Sequence, residues 1–396
     1  MLRISYLLPH AIVVPPLITQ TSPSPTTGMS GPAAKKSVQV ARRLHGFDAP
    51  TVWGEFTPLA VQHRAVNLGQ GFPDWETPQF IKDALCRSVQ GSGNQYARSA
   101  GDLRLVEALA RHYSPLLGRE VDPLSEVAVS SGATGVMFAV LQGLLNEGDE
   151  VVVMEPAFDI YAAQIQMAGA TPVYVPLRVE RTESRERWVL DMAELEAAFS
   201  PRTRLVILNT PHNPTGKVFS LKELQDIAAI LERHPQVTAV TDEVYEKLIF
   251  DGGRHERLAS LPGMWDRVVT ISSCGKTFSC TGWKIGWALG AAHLIKPMVL
   301  TNQWTTYCVS TPTQQALAEV LRQSEEPYEG HPSYFDYIRA EYERKRDHLV
   351  SSLKLAELRP IVPEGGFFVV AHTGAHSVPE KYALQVLFAQ PLEPID

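Results

Sequence analysis

Ser272-Ser273-Cys274-Gly275-Lys276-Thr277-Phe278-Ser279-Cys280-Thr281-Gly282-Trp283-Lys284 follows directly on the apolar run Val268-Val269-Thr270-Ile271. That run has the length and β-branched content of a buried strand. Lys276 therefore falls just beyond a strand end, among small and hydroxylic residues, and a second cation, Lys284, comes a short step later. Hydroxyls and a second positive charge can hold a phosphate and leave one amine for covalent chemistry with a carbonyl. Taken alone, the same letters also describe a strand end carrying surface lysines.

Three upstream segments repeat this placement. Thr241-Asp242-Glu243-Val244-Tyr245 follows the β-prone Val237-Thr238-Ala239-Val240. Asp242 there can pair with a protonated pyridine nitrogen, and Tyr245 can donate to a phenolic oxygen; a lone aspartate is equally a helix cap. Asn209-Thr210-Pro211-His212-Asn213-Pro214-Thr215-Gly216 follows the strand-like Arg204-Leu205-Val206-Ile207-Leu208. Its prolines and glycine force a turn that can aim Asn213 at the same oxygen. Ser130-Ser131-Gly132-Ala133-Thr134-Gly135 joins Val127-Ala128-Val129 to a long apolar run. A small-residue loop opening a helix offers free N–H groups to phosphate. Glu155-Pro156-Ala157-Phe158 follows another apolar run, so Phe158 can lie against a ring or fill the core. Together the segments point to pyridoxal phosphate as cofactor.

Each segment sets its polar residues just after an apolar run, the place where open α/β sheets bind ligands. Helical patterns lie between: Leu103, Val106, Ala110, Tyr113 and Leu117, and Leu221, Leu224, Ala228 and Leu231 behind the capping box Ser220-x-x-Glu223. This alternation predicts an α/β fold, a three-layer α/β/α domain with a mostly parallel sheet. Glu180–Trp188 is read as a charge-rich surface loop, with Asp191 capping a short helix after it.

These residues resemble the fold-type I pyridoxal-phosphate aminotransferases of the aspartate aminotransferase superfamily, class I/II, and within it the kynurenine aminotransferase (cysteine-conjugate β-lyase) group. The resemblance runs from about Thr51 to about Val370. It is carried by Val66–Asp74, Asn94-Gln95-Tyr96, the Asn209–Gly216 turn, Thr241–Tyr245 and Gly275–Trp287. It implies that Lys276 forms the covalent link and shuttles protons, that Asp242 pairs with the ring nitrogen, and that Asn213 and Tyr245 hold the phenolic oxygen. It implies Phe158 on the ring, with backbone at Ala133 and Thr134 joining Ser273 and Lys284 on the phosphate. Gly71, Trp53 and Asn213 would line the substrate pocket, and Tyr96 would reach the phosphate of a neighbouring subunit in a homodimer. The implied activity is transfer of the amino group of kynurenine, or a related aromatic or sulfur amino acid, to a 2-oxo acid. Cysteine-conjugate β-lysis is an alternative.

The family also implies a small-domain arginine for the substrate carboxylate, beyond Gly365–Val370. The last arginine here is Arg359, and Ser377–Asp396 departs from the family pattern. A catalytically impaired, truncated or mis-spliced cofactor-binding variant is therefore a second reading. Thr134 and Ala157 stand where relatives often carry aromatics.

The 396 residues carry a net charge of −7, and the basic residues form no stripe, which excludes nucleic acid as the expected partner. Four cysteines without a CxxC pair argue against a disulfide framework or a zinc site. Residues 1–47 contain no acidic residue and hold Arg3, Lys35, Lys36, Arg42 and Arg43. That composition suits a mitochondrial presequence or a disordered tail, and Met29 offers a second start, so the expected setting is cytoplasmic, mitochondrial or both. The apolar stretch from Ile4 to Ile18 is too short and too rich in proline to span a membrane. The expected organisation is a tail over 1–47, an arm and small-domain segment over 48–74, a large cofactor domain over 75–310, and a smaller, incomplete (truncated) α+β domain over the C-terminal 311–396, joined by a long helix through Gln314–Gln323.

Overall fold

The apolar runs become the strands of one central sheet. The structure, a computed structural model, describes residues 40–47, 51–65, 69, 71, 73, 75–183, 185–372 and 385–388; at 52, 53, 55 and 385–388 it describes the backbone alone. The tail over 1–39 and residues 389–396 lie outside the described residues.

The strands are β1 (Val127–Ser131), β2 (Glu150–Glu155), β3 (Thr171–Arg181), β4 (Glu186–Leu190), β5 (Thr203–Asn209), β6 (Thr238–Asp242), β7 (Val268–Ser273) and β8 (Ile285–Leu289). They form one eight-stranded sheet in the order β1-β8-β7-β6-β5-β2-β3-β4. The central run from β3 through β2, β5 and β6 to β7 is parallel. β8 is antiparallel to both β1 and β7.

The helices are α1 (Val52–His63), α2 (Gln79–Gln90), α3 (Leu103–Leu117), α4 (Gly132–Leu144), α5 (Ile160–Met167), α6 (Met192–Ala197), α7 (Leu221–Arg233), α8 (Cys274–Thr277), α9 (Ala292–Thr305), α10 (Thr311–Gln323) and α11 (Tyr334–Leu355). Strand residues alternate between the two faces. Ala128, Val151, Val153, Ile207, Val240 and Ile271 pack against α4, α5 and α9. Val129, Val152, Val206 and Ala239 share a core with α3, α7 and α10. Both faces are thus covered, which gives the three layers.

The capping box at Ser220 and Glu223 forms as expected, and Asp191 caps α6. Two readings need correction. Glu180–Trp188 is a β-hairpin, because β3 pairs with β4 and the cross-strand pairs Arg187–Glu180 (2.7 Å) and Arg181–Glu186 (2.9 Å) tie its charged side chains together, one pair on each face. The helix through Gln314–Gln323 is the modest α10, lying on α2 and α3; the long helix is α11. Beyond α11, β9 (Arg359–Ile361), β10 (Phe368–His372) and β11 (Gln385–Phe388) form a separate antiparallel sheet. Val350, Leu353, Leu358 and Val369 bury its contact with α11.

Candidate active site

Lys276 sits in α8, one short turn past the carboxyl end of β7. Its Nζ donates to the Gly71 carbonyl oxygen at 2.7 Å, which sets Gly71 against the lysine. The Phe367 ring centroid lies 5.2 Å from the same nitrogen. Burial pulls the amine down from the ordinary lysine value to about 8; Asp242 opposes the shift and Lys284 adds to it. An amine at that value is part neutral near physiological pH and can accept a proton.

Asp242 ends β6 beside β5 and β7, with its side chain buried. The Tyr161 hydroxyl donates to Asp242 Oδ2 at 2.6 Å. Burial pushes the carboxyl up to about 6; Tyr161 and the Val244 N–H resist, Glu243 adds to the rise and Lys276 opposes it. Burial, and then the Asp242 charge, push the Tyr245 hydroxyl well up, so it keeps its proton and stays a donor. Tyr245 is wedged edge-on between Phe367 (5.0 Å) and Phe368 (5.6 Å). Asn213 is fixed by its own N–H, which donates to Asn209 Oδ1 at 2.6 Å. The turn is tied to the chain before β10: Glu364 and Gly365 N–H groups both donate to the Gly216 carbonyl at 3.0 Å. Gly216 has φ +69, and a Cβ there would stand 2.2 Å from Pro363 Cβ.

The residues present fit pyridoxal phosphate. The α4 N-terminus has no side-chain cap, so its first N–H groups, at Ala133 and Thr134 among them, remain available to an anion. Lys284 Nζ stands 3.3 Å from where a Cβ on Gly132 would be. Gly286 lets β8 approach that cradle: a Cβ on it would lie 2.3 Å from the Gly132 carbonyl carbon. Ser273 is buried at the end of β7, one residue before α8. A cation seated beside Asp242 would relieve the cost of its buried charge.

Lys276, Asp242, Tyr245, Asn213, Ser273, Lys284, Ala133 and Thr134 all fall at the carboxyl ends of β1, β5, β6 and β7 or in the first residues after them, Lys284 directly before β8. Phe158 precedes α5 and meets the Tyr161 ring edge-on at 5.8 Å. Tyr96 is not brought to this cluster: it is 83% exposed and touches Tyr307 at 5.3 Å. Trp53 lies in α1, and its side chain is outside the described residues. Sequence reasoning misses Tyr161. Its only signal is its position three residues after Phe158, on the first turn of a helix facing β6.

An amine tuned toward neutrality, a buried carboxylate and an anion cradle along one edge of a mostly parallel sheet define an enzyme of the fold-type I aminotransferase class. The chain belongs to the aminotransferase class I and II family, whose model matches residues 63–390. That match passes Val370, the expected end of the resemblance, and includes β11. The chain is 46% identical over 337 residues to kynurenine–oxoglutarate transaminase of Dictyostelium discoideum, covering 82% of this chain and 76% of that protein. It is 43% identical to human kynurenine–oxoglutarate transaminase 1, covering 83% of this chain and 79% of the relative. The solved N-succinyldiaminopimelate aminotransferase of Mycobacterium tuberculosis superimposes with a TM-score of 0.80 at 34% identity, over 89% of this chain and 95% of that one.

Proposed function

We propose that this protein transfers the amino group of kynurenine, or a related aromatic or sulfur amino acid, to a 2-oxo acid, with pyridoxal phosphate held at Lys276. The observation that carries the reading is Lys276 itself, its amine drawn down to about 8 and held against the Gly71 carbonyl near Asp242. Bound pyridoxal phosphate supplies an aldehyde that carries the amino group and a ring that withdraws electrons from the substrate Cα–H bond.

The protein's part is to hold and to move a proton. Ser273, Lys284 and the N–H groups at Ala133 and Thr134 would hold the phosphate. The Asp242 carboxylate would face the ring nitrogen, kept in orientation by Tyr161. Tyr245 and Asn213 would hold the phenolic oxygen, and Phe158 would lie on the ring. Lys276, in its neutral form, would take the proton from the substrate α-carbon and return it to the cofactor carbon on the far side of the transferred nitrogen. Gly71 and Trp53 belong to the arm that would enclose the substrate.

A homodimer fits the exposure of Tyr96, which a second subunit could carry to the phosphate. The separate β9–β11 sheet supports a small domain in the C-terminal part of the chain, while α10 packs on α2 and α3 with the large one. Among the described residues no helix is long and apolar enough to cross a membrane; the acid-free 1–47 segment suits a cytoplasmic or mitochondrial setting. The test is incubation of the pyridoxal-phosphate-loaded protein with kynurenine and 2-oxoglutarate, reading glutamate by mass spectrometry. Kynurenine-dependent glutamate supports the reading. No glutamate with kynurenine, phenylalanine, methionine or glutamine as donor overturns it.

A further inference from the structure

Next to the carboxyl end of β6 lies a buried ionic cluster that the chemistry above does not use. Asp242, the last residue of β6, and Tyr245, in the turn after it, are three residues apart. So are Glu243 and Glu246, offset by one. Asp242 and Tyr245 lie with Lys276. Glu243 and Glu246 are directed into the protein, at 0% and 5% exposure.

Arg257, 6% exposed, spans both carboxylates: one terminal nitrogen donates to Glu243 Oε2 and the other to Glu246 Oε2. The remaining partners come partly from the same stretch, as Thr241, Lys247 and His255, and partly from distant elements, as Tyr113, Ser272 and Trp287. His255 Nε2 lies 2.7 Å from Glu243 Oε2, and the Thr241 hydroxyl donates to Glu243 Oε1 at 2.9 Å. The Tyr113 hydroxyl, from α3, and the Ser272 hydroxyl, from β7, both donate to Glu246 Oε1. Trp287 of β8 donates to the Tyr113 oxygen at 3.1 Å. Lys247 Nζ is 4.0 Å from Glu246 and 2.9 Å from His112 Nε2.

We propose that Arg257 is a positioning residue for amino transfer: by forking Glu243 to Glu246 behind the turn, it fixes where Asp242 and Tyr245 present their side chains to the cofactor. This rests on the function proposed above. Two physical points support it. A guanidinium offers a planar fork that two carboxylates can share, which a lysine ammonium cannot reproduce. Glu243 also acts on Asp242 directly, since its charge favours the neutral carboxyl there, against the Tyr161 hydroxyl, the Val244 N–H and Lys276. Arg257 partly cancels that charge. Glu246 meanwhile stays ionised: burial pushes it up, but Lys247, Arg257 and His255 hold it well below the usual carboxylate range. Two carboxylates faced by Arg257, Lys247 and His255, with neutral donors round them, therefore sit a few atoms from the ring-nitrogen partner.

The test compares wild type, Arg257→Lys and Glu243→Gln, each loaded with pyridoxal phosphate. The readouts are the urea midpoint, the pH midpoint of the visible absorbance of the loaded, substrate-free protein, and kcat and KM separately. Arg257→Lys keeps the charge and loses the fork; Glu243→Gln keeps the Arg257–Glu246 pair and serves if the lysine variant does not fold. The expected result is a shift of about half a pH unit or more in the absorbance midpoint, and a roughly tenfold or larger fall in kcat with KM within about threefold, as for a small misplacement of reacting groups. A folded variant with wild-type midpoint and wild-type kcat overturns the proposal. A lower urea midpoint with absorbance midpoint and kcat unchanged also overturns it, since the cluster is then structural only. Wild type that shows no visible absorbance with pyridoxal phosphate overturns the underlying function reading instead.

Discussion

Replacing Asp242 by Asn should stabilise the cofactor-free protein while nearly abolishing its chemistry. Burial lifts the Asp242 carboxyl from 3.8 to about 6. A tenfold change in proton affinity is worth about 1.4 kcal/mol, so the ionised carboxylate costs the folded state on the order of 3 kcal/mol at pH 8. The folded protein binds this proton more tightly than the unfolded chain, so between about 4 and 6 stability falls as pH rises, and above about 6 the full cost is present. Asn keeps the acceptor for Tyr161 and removes the charge. Urea unfolding of wild type and Asp242→Asn, both stripped of cofactor, should show a gap in favour of Asn that widens by about 2 kcal/mol from pH 4.5 to pH 8. With pyridoxal phosphate the order reverses. Asn cannot neutralise a protonated ring nitrogen, and losing one member of a buried charge pair costs about 3–5 kcal/mol, a hundredfold or more in rate. An Asn variant less stable than wild type at pH 8, or a gap that does not change with pH, would refute the reasoning.

Two further outcomes follow from the same geometry. Tyr161→Phe removes a hydrogen bond that holds the Asp242 carboxyl down, so the acid limb of the kcat/KM profile should move up by about one pH unit, in line with a charged-acceptor bond of about 1.5–3 kcal/mol; an unmoved limb counts against the contact. Gly286→Ala puts a Cβ 2.3 Å from the Gly132 carbonyl carbon and 2.5 Å from the Ala133 nitrogen, so the α4 N-terminus must shift. Pyridoxal phosphate affinity should fall about tenfold or more by absorbance titration with circular dichroism unchanged, a loss of about 1.4 kcal/mol or more, and wild-type affinity would show that the cradle tolerates the shift.

Much of the fold could be read from local pattern. Apolar runs such as Val268–Ile271 and Arg204–Leu208 marked strands, and a polar residue at each run's end marked the functional edge, because a parallel sheet collects its carboxyl ends on one side. What escaped depends on pairing between distant segments. β8 runs antiparallel because the segment from Cys274 to Lys284 turns back within one short helix, too little chain for the crossover a parallel neighbour needs. The hairpin at Glu180–Trp188 was hidden by its charges, which pair across the strands instead of facing solvent singly. Tyr113 counted correctly as a core position of α3, but its hydroxyl partner, Glu246, lies far along the chain. Arg257 and Tyr161 look ordinary in sequence for the same reason: their roles exist only once β6 has been laid beside α5 and the loop that carries Arg257.

Lys276 is proposed as the residue that carries the cofactor. The direct measurement is to load the protein with pyridoxal phosphate, reduce it with borohydride, digest it and map the pyridoxyl group by mass spectrometry. The expected result is one pyridoxyl group per chain, on the peptide holding Gly275-Lys276-Thr277, and its loss in Lys276→Ala. A pyridoxyl group found chiefly on Lys284, Lys247 or a surface lysine, or retained in Lys276→Ala, would contradict it.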